Sequence, residues 1–134
     1  MSKYAFVTGG SRGIGRAVCV KLAQMGFCVI VNYVSNDAAA KETIRLIEEV
    51  GGRGELLKFD VADTDASVKA ITGWQESHPD NYVEVLVNNA GVRKDNLLLW
   101  LEPEDWFKVM STDLNSFYNV TRPFLQPMVS HRNG

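Results

Sequence analysis

Two periods alternate along the chain. Short apolar, β-rich runs cover residues 4–8, 27–33, 55–61 and 82–88. Continuous apolar strands of this kind suit a parallel sheet covered on both faces. Between the runs, apolar residues recur every three or four positions, the spacing of a helix face. Ile14, Val18, Leu22 and Met25 mark the first helix, which Gly26 closes. Ile44, Ile47 and Val50 mark the second, ended by Gly51 and Gly52, and Val68, Ile71 and Trp74 mark a third that stops before Pro79. The last and longest helix has Pro103 in its first turn. Trp106, Val109, Met110, Leu114, Phe117, Val120, Thr121 and Phe124 form one expected stripe, with Pro123 expected to kink or fray its end.

The order β-α-β-α-β-α-β-α predicts an α/β fold, a doubly wound parallel sheet with right-handed crossovers, as a single domain over 1–134. Such folds have two halves about a switch point. The pattern fits the first half and the start of the second, so the expected Rossmann sheet is incomplete after its fourth β-α unit. No linker, repeat or low-complexity segment interrupts it.

Composition narrows the function classes. The net charge is −2, with Lys and Arg scattered singly, which lacks the basic footprint of a nucleic-acid binder. Apolar runs such as residues 97–101 are far short of a membrane span. The first strand begins too early for a signal peptide to precede it, so a cytoplasmic protein is expected. Cys19 and Cys28 sit among apolar neighbours and read as buried thiols. His78 and His131 are too far apart in sequence to suggest a metal cluster.

The chemistry begins at the first strand–helix junction, VTGGSRGIGRA. A glycine turn there aims free backbone N–H groups and the positive end of a helix at an anion. Gly9 permits the tight turn, Gly13 lets a pyrophosphate approach the backbone, and Gly15 brings the helix close to the sheet. Gly13 and Gly15 supply the first two glycines of the common G-x-G-x-x-G spelling, but Val18 stands at the third. Such folds use an acid at the end of strand two to hold the ribose hydroxyls of NAD. Here that strand ends Val31-Asn32-Tyr33, and Asp37 falls in the first turn of the next helix. Arg12, within the turn, is placed to pair with a 2′-phosphate, so the residues favour NADPH/NADP over NAD. Asp60, at the end of strand three, is a candidate acceptor for an adenine amino group, or else a helix cap. After strand four, Asn88, Asn89, Ala90 and Gly91 let the backbone pass close to a ligand.

Thr8-Gly9-x-x-x-Gly13-x-Gly15, then Asp60-Val61, then Asn88-Asn89-Ala90-Gly91 together resemble the short-chain dehydrogenase/reductases. The T-G-x-x-x-G-x-G spelling is that family's form of the dinucleotide turn. The resemblance covers the whole chain but only the N-terminal part of the family's fold. Within the family, the segments 9–17 and 88–98 resemble the 3-oxoacyl-acyl-carrier-protein reductases of fatty-acid synthesis. That resemblance implies NADPH, a homotetramer packed through the long fourth helix, and a substrate carried on acyl carrier protein. The cofactor contacts it implies are Gly9, Ser11, Arg12, Gly13, Ile14, Gly15, Asn32, Tyr33, Asp60, Val61, Asn88, Ala90 and Gly91.

Family chemistry is hydride transfer to a ketone, with a Tyr proton donor, a Lys that lowers its pKa, and a Ser on the carbonyl oxygen. Tyr82 and Tyr118 lack a Lys four residues later, so neither fits that role. Asn115 matches the family's catalytic Asn, which supports a relay water; helical periodicity alone makes it a solvated polar residue. Arg132 matches a basic residue at which the carrier docks, or else is a cation at a helix C-terminus. These residues are therefore expected to supply the cofactor-binding part of a reductase and to be inactive alone. Two alternatives stay open: a family member acting on acetoacetyl-CoA, a sugar or a polyol, and a non-catalytic dinucleotide-binding or interaction module.

Overall fold

In the computed structural model, residues 2–91 and 98–134 are described; the stretch 92–97 of the resemblance to carrier-protein reductases lies outside them. The elements are β1 (Tyr4–Val7), α1 (Gly13–Gln24), β2 (Cys28–Tyr33), α2 (Asp37–Glu49), β3 (Arg53–Lys58), α3 (Thr64–Ser77) and β4 (Val83–Val87). A 3₁₀ turn (Leu98–Trp100) precedes α4 (Pro103–Met110), a π-helical turn (Ser111–Asn115) and α5 (Ser116–His131). The four strands are parallel in the order β3-β2-β1-β4, so the chain crosses over between β3 and β4 and creates a switch point between β1 and β4. The expected doubly wound sheet is therefore the observed one.

Alternation along the buried strands divides the core in two. Tyr4, Phe6, Cys28 and Ile30 face α3 and α5, where they meet Ile71, Trp74, Val120 and Phe124. Ala5, Val7, Val29 and Val31 face the other way, onto Cys19, Leu22 and Ala23 of α1 and Ile47 of α2. Both cysteines are free and buried. Phe6 and Phe124 are almost fully buried with ring centroids 5.1 Å apart; each contributes roughly 1.5–3 kcal/mol by burial alone.

Strand three differs from its expected span. It starts at Arg53 and ends at Lys58, so Asp60 lies beyond the strand. Gly51, at φ 83°, ends the preceding helix, and β3 begins two residues later.

The long helix corrects two expectations. It runs through Pro123 and Pro127 to His131. Proline at 127 has no N–H to offer the carbonyl of Pro123 one turn back. The side chain of Gln75 donates to that carbonyl instead, at 3.0 Å, so α3 supplies the missing partner. The single apolar stripe is also divided. Val120 and Phe124 are buried against the sheet, whereas Trp106, Leu114 and Phe117 are exposed. The π turn puts α4 and α5 out of phase: an extra residue in one turn rotates the rest of the helix by about 100° relative to an unbroken one.

Candidate functional site

A cleft of about 740 Å³ opens at the C-terminal ends of the strands, beside the switch point. Gly9, Ser11, Arg12, Gly13, Ile14 and Gly91 line it, with Tyr33–Asn36 along one side and Asp60, Val61, Asn89 and Ala90 along another. Lys108 and Thr112 close it from the helical side. This is where ligands bind in open α/β sheets.

The glycine turn has the shape its sequence suggests. Gly9 takes φ 63° and Gly13 φ 56°, conformations that favour glycine. A Cβ on Gly13 would meet nothing within 4 Å, so this backbone faces open space. At Gly15 the reverse holds. A Cβ there would run into the carbonyl of Gly9 and the side-chain amide of Asn89. Gly15 thus brings α1 against the turn itself and against the end of β4, rather than only against the sheet. Arg12 is the N-cap of α1 and makes no capping bond with its side chain. The first turn of α1 therefore presents uncapped N–H groups to the cleft, the ordinary cradle of a phosphate.

A hydrogen-bonded frame holds the turn in place. The Thr8 hydroxyl accepts from the backbone N–H groups of Asn89 and Ala90, both at 2.9 Å. The Asn89 amide donates to the carbonyls of Thr8 and Gly9. On the other side, Arg16 donates to the carbonyls of Ser11 (2.5 Å) and Ala39 (2.9 Å), and to the Thr43 hydroxyl. Thr43 in turn donates to Gly10 O at 2.9 Å. The turn is thereby tied to β4 and to α2 before any ligand arrives.

Two expected contact residues belong to this frame and not to the cleft wall. Asn32 is buried: its oxygen accepts from Gly9 N, and its amide donates to the carbonyls of Leu57 and Phe59. With both ends of the amide engaged inside the protein, it positions the turn. Asn88 donates to the Thr121 hydroxyl at 3.0 Å and ties β4 to α5. The neighbouring Asn89, in contrast, lines the cleft.

Tyr33, Ser11, Ile14, Asp60, Val61, Ala90 and Gly91 all stand on the cleft wall. Asp60 is exposed and accepts from Ala62 N, while Asp63 caps α3 by accepting from Ala66 N. The cap reading of Asp60 is thus answered by Asp63. Val61 is held from behind: Asn119 of α5 donates to its carbonyl at 3.0 Å and accepts from Thr64. Asn115 ends the π turn and is exposed, and the cleft wall takes Lys108 and Thr112 from this helix. Arg132 is exposed at φ 52° at the end of α5, beside Asn133, which donates to the hydroxyl of Tyr82 just before β4. That is the opposite end of the sheet from the cleft. Among the described residues, no group of three or more His, Cys, Asp or Glu could hold a metal ion. No helix among them is long and apolar enough to cross a membrane.

Sequence logic missed Lys108, Thr112 and Asn119. All three lie near or beyond the π turn, where the simple helical period no longer tells which face points inward.

An uncapped helix start behind a glycine turn, at the switch point of a parallel sheet, is the arrangement that cradles phosphates in doubly wound folds. The family model for short chain dehydrogenases matches residues 3–134, and the chain belongs to that family. The chain is 38% identical over 132 residues to a 3-oxoacyl-acyl-carrier-protein reductase of Aggregatibacter actinomycetemcomitans, covering 98% of this chain and 54% of that protein. It is equally similar, 38% over 134 residues, to an acetoacetyl-CoA reductase of Paracoccus denitrificans, covering all of this chain and 52% of that one. The chain thus spans about half the length of these curated relatives. A metagenomic short-chain oxidoreductase in complex with NADP superimposes with a TM-score of 0.90 at 32% identity, over 98% of this chain and 59% of its own.

Proposed function

We propose that these residues form the cofactor-binding part of an NADPH-dependent reductase acting on 3-oxoacyl thioesters. The observation that carries this reading is the cleft itself. Arg12 stands at its mouth, and β2 ends in Asn32 and Tyr33, with no acid to take a ribose diol. In this arrangement the uncapped N–H groups at the start of α1 hold the pyrophosphate, and Arg12 pairs with the 2′-phosphate. Asp60 accepts from the adenine amino group, and Val61 and Ala90 pack on the base. When bound, NADPH supplies the hydride that reduces the ketone. Asn115, exposed at the end of the π turn, would hold a relay water.

The substrate class follows from the similarity to carrier-protein reductases. The similarity to acetoacetyl-CoA reductases supports the same reduction of a 3-oxo group on a different thioester. Neither the Tyr proton donor nor its Lys is present, since none of Tyr4, Tyr33, Tyr82 and Tyr118 has a Lys four residues on. The 134-residue chain on its own is therefore expected to bind nucleotide without turning over acetoacetyl substrates.

Fluorescence titration of NADPH and NADH against the wild type and Arg12→Ala tests the reading. A bidentate Arg–phosphate contact contributes about 1.5–3 kcal/mol, so a tenfold or larger NADPH preference is expected, and Arg12→Ala should narrow it by a comparable factor. Equal affinities in the wild type would overturn it.

A further inference from the structure

Asp37 is the first carboxylate after β2, and the structure holds it in a clamp. Tyr33 and Lys58 are register partners on the neighbouring strands β2 and β3. The Tyr33 hydroxyl donates to Asp37 Oδ1 at 2.7 Å, and Lys58 Nζ donates to the same oxygen at 3.2 Å. The ammonium also lies 5.9 Å from the centroid of the Tyr33 ring. Tyr33 and the next three residues form one wall of the cleft, so the clamp sits at the rim where the adenosine ribose of a dinucleotide would lie. Both charged side chains remain about half exposed. Asn36 cannot take over the role of Asp37, because its side-chain oxygen caps α2 by accepting from Ala39 N.

We propose that Lys58 sets the preference of this cleft for a nucleotide carrying a 2′-phosphate, by masking Asp37. The inference rests on the dinucleotide reading above. A free carboxylate at this rim would do two things: accept from the ribose hydroxyls of NAD, and repel a phosphate in the same place. The clamp weakens both effects. It occupies one carboxylate oxygen twice and offsets the charge of Asp37 with the Lys58 ammonium. Tyr33 and Lys58 also lower the Asp37 pKa from its ordinary value, chiefly through the Tyr33 hydrogen bond, so the masked group is an ionised one at neutral pH. Lys58 is thus a selectivity residue that need not touch the nucleotide.

The adenosine fragments 2′,5′-ADP and 5′-AMP probe this corner alone. Their affinities for the 134-residue chain would be measured by calorimetry for wild type, Lys58→Ala, Asp37→Asn and the double variant, with thermal melts confirming the fold. Wild type is expected to prefer 2′,5′-ADP, and Lys58→Ala to narrow that preference about fivefold, the scale of one unmasked surface charge. The double variant should match Asp37→Asn alone, since Lys58 has nothing to mask once Asp37 is neutral. An unchanged preference in Lys58→Ala would overturn the proposal. So would a narrowing that persists undiminished in the Asp37→Asn background, which would mean that Lys58 meets the phosphate directly. A wild type indifferent to the 2′-phosphate would contradict the NADPH reading itself, and this inference with it.

Discussion

The side-chain amide of Asn89 donates to the carbonyl oxygens of both Thr8 and Gly9, at 3.2 and 3.1 Å, so the end of β4 and the glycine turn after β1 form one unit. Replacing Asn89 with Ala strands both carbonyls in a partly buried setting. A lost buried partner costs about 1–3 kcal/mol, which for a domain of this size lowers the melting temperature by roughly 3–10 °C. Thermal melting by circular dichroism checks this; an unchanged midpoint would show that water replaces the amide at no cost.

Gly13 and Gly15 should respond differently to alanine. At Gly15 the methyl has no room beside Gly9 O and the Asn89 amide, so α1 must shift, at about 1–3 kcal/mol of stability. At Gly13 the space is open, and only the positive φ of 56° resists. Gly13→Ala should therefore fold with a loss of about 1–2 kcal/mol, yet bind nucleotide poorly because the methyl projects where the phosphate approaches. Urea denaturation and nucleotide titration of both variants separate the two effects. Gly13→Ala binding as well as wild type would exclude the phosphate role of this turn.

The strands and the glycine turn were legible because local chemistry decides them. Buried parallel strands read as continuous apolar runs, and the positive φ at Gly9 and Gly13 favours glycine. Side-chain destinations were less legible. Asn32 and Asn88 carry the same donors and acceptors whether they meet a ligand or a backbone carbonyl, and only the folded register shows that Leu57, Phe59 and Thr121 claim them. The helix runs on through Pro123 and Pro127, and only the fold shows that Gln75 arrives from α3 to take the carbonyl that Pro127 leaves open. The phase of the long helix was misread for a comparable reason: nothing in Ser-Thr-Asp-Leu-Asn announces a π turn, yet it puts the α4 and α5 ends of the expected stripe out of phase.

The two thiols should be inert in the folded state. Burial pushes Cys19 up to about 12. Cys28 is raised too, by burial first and then by the charge of Glu55. At pH 8 the Cys19 thiolate fraction is then about one in ten thousand, and the thiolate is the reactive form. A disulfide-exchange reagent should label neither residue at that pH in minutes, and both on unfolding in guanidinium. Rapid labelling of Cys19 in the native protein would contradict its placement between α1 and the sheet.

The exposed half of the long helix supports an assembly face. Trp106, Phe107, Leu114, Phe117, Tyr118, Leu125 and Val129 are all at least 48% exposed, a concentration of apolar surface unusual on a lone domain. A two-fold copy of the same face would cover it. Light scattering at micromolar concentration should report an oligomer, and Phe117→Asp should convert it to a folded monomer whose melting temperature no longer depends on concentration. Phe124→Asp, by contrast, should unfold the chain, because Phe124 lies in the core against Phe6. A monomeric wild type would argue against the face.

The central claim is that the cleft at the strand ends holds a dinucleotide. A 14.9 kDa chain suits amide-resolved NMR, and titrating NADP⁺ into the ¹⁵N-labelled protein tests the claim residue by residue. The account predicts the largest shift changes at Gly9, Ser11–Gly15, Tyr33–Asn36 and Asn89–Gly91, with the α5 C-terminus around Arg132 unmoved. Changes confined to other surfaces, or none at millimolar nucleotide, would contradict it.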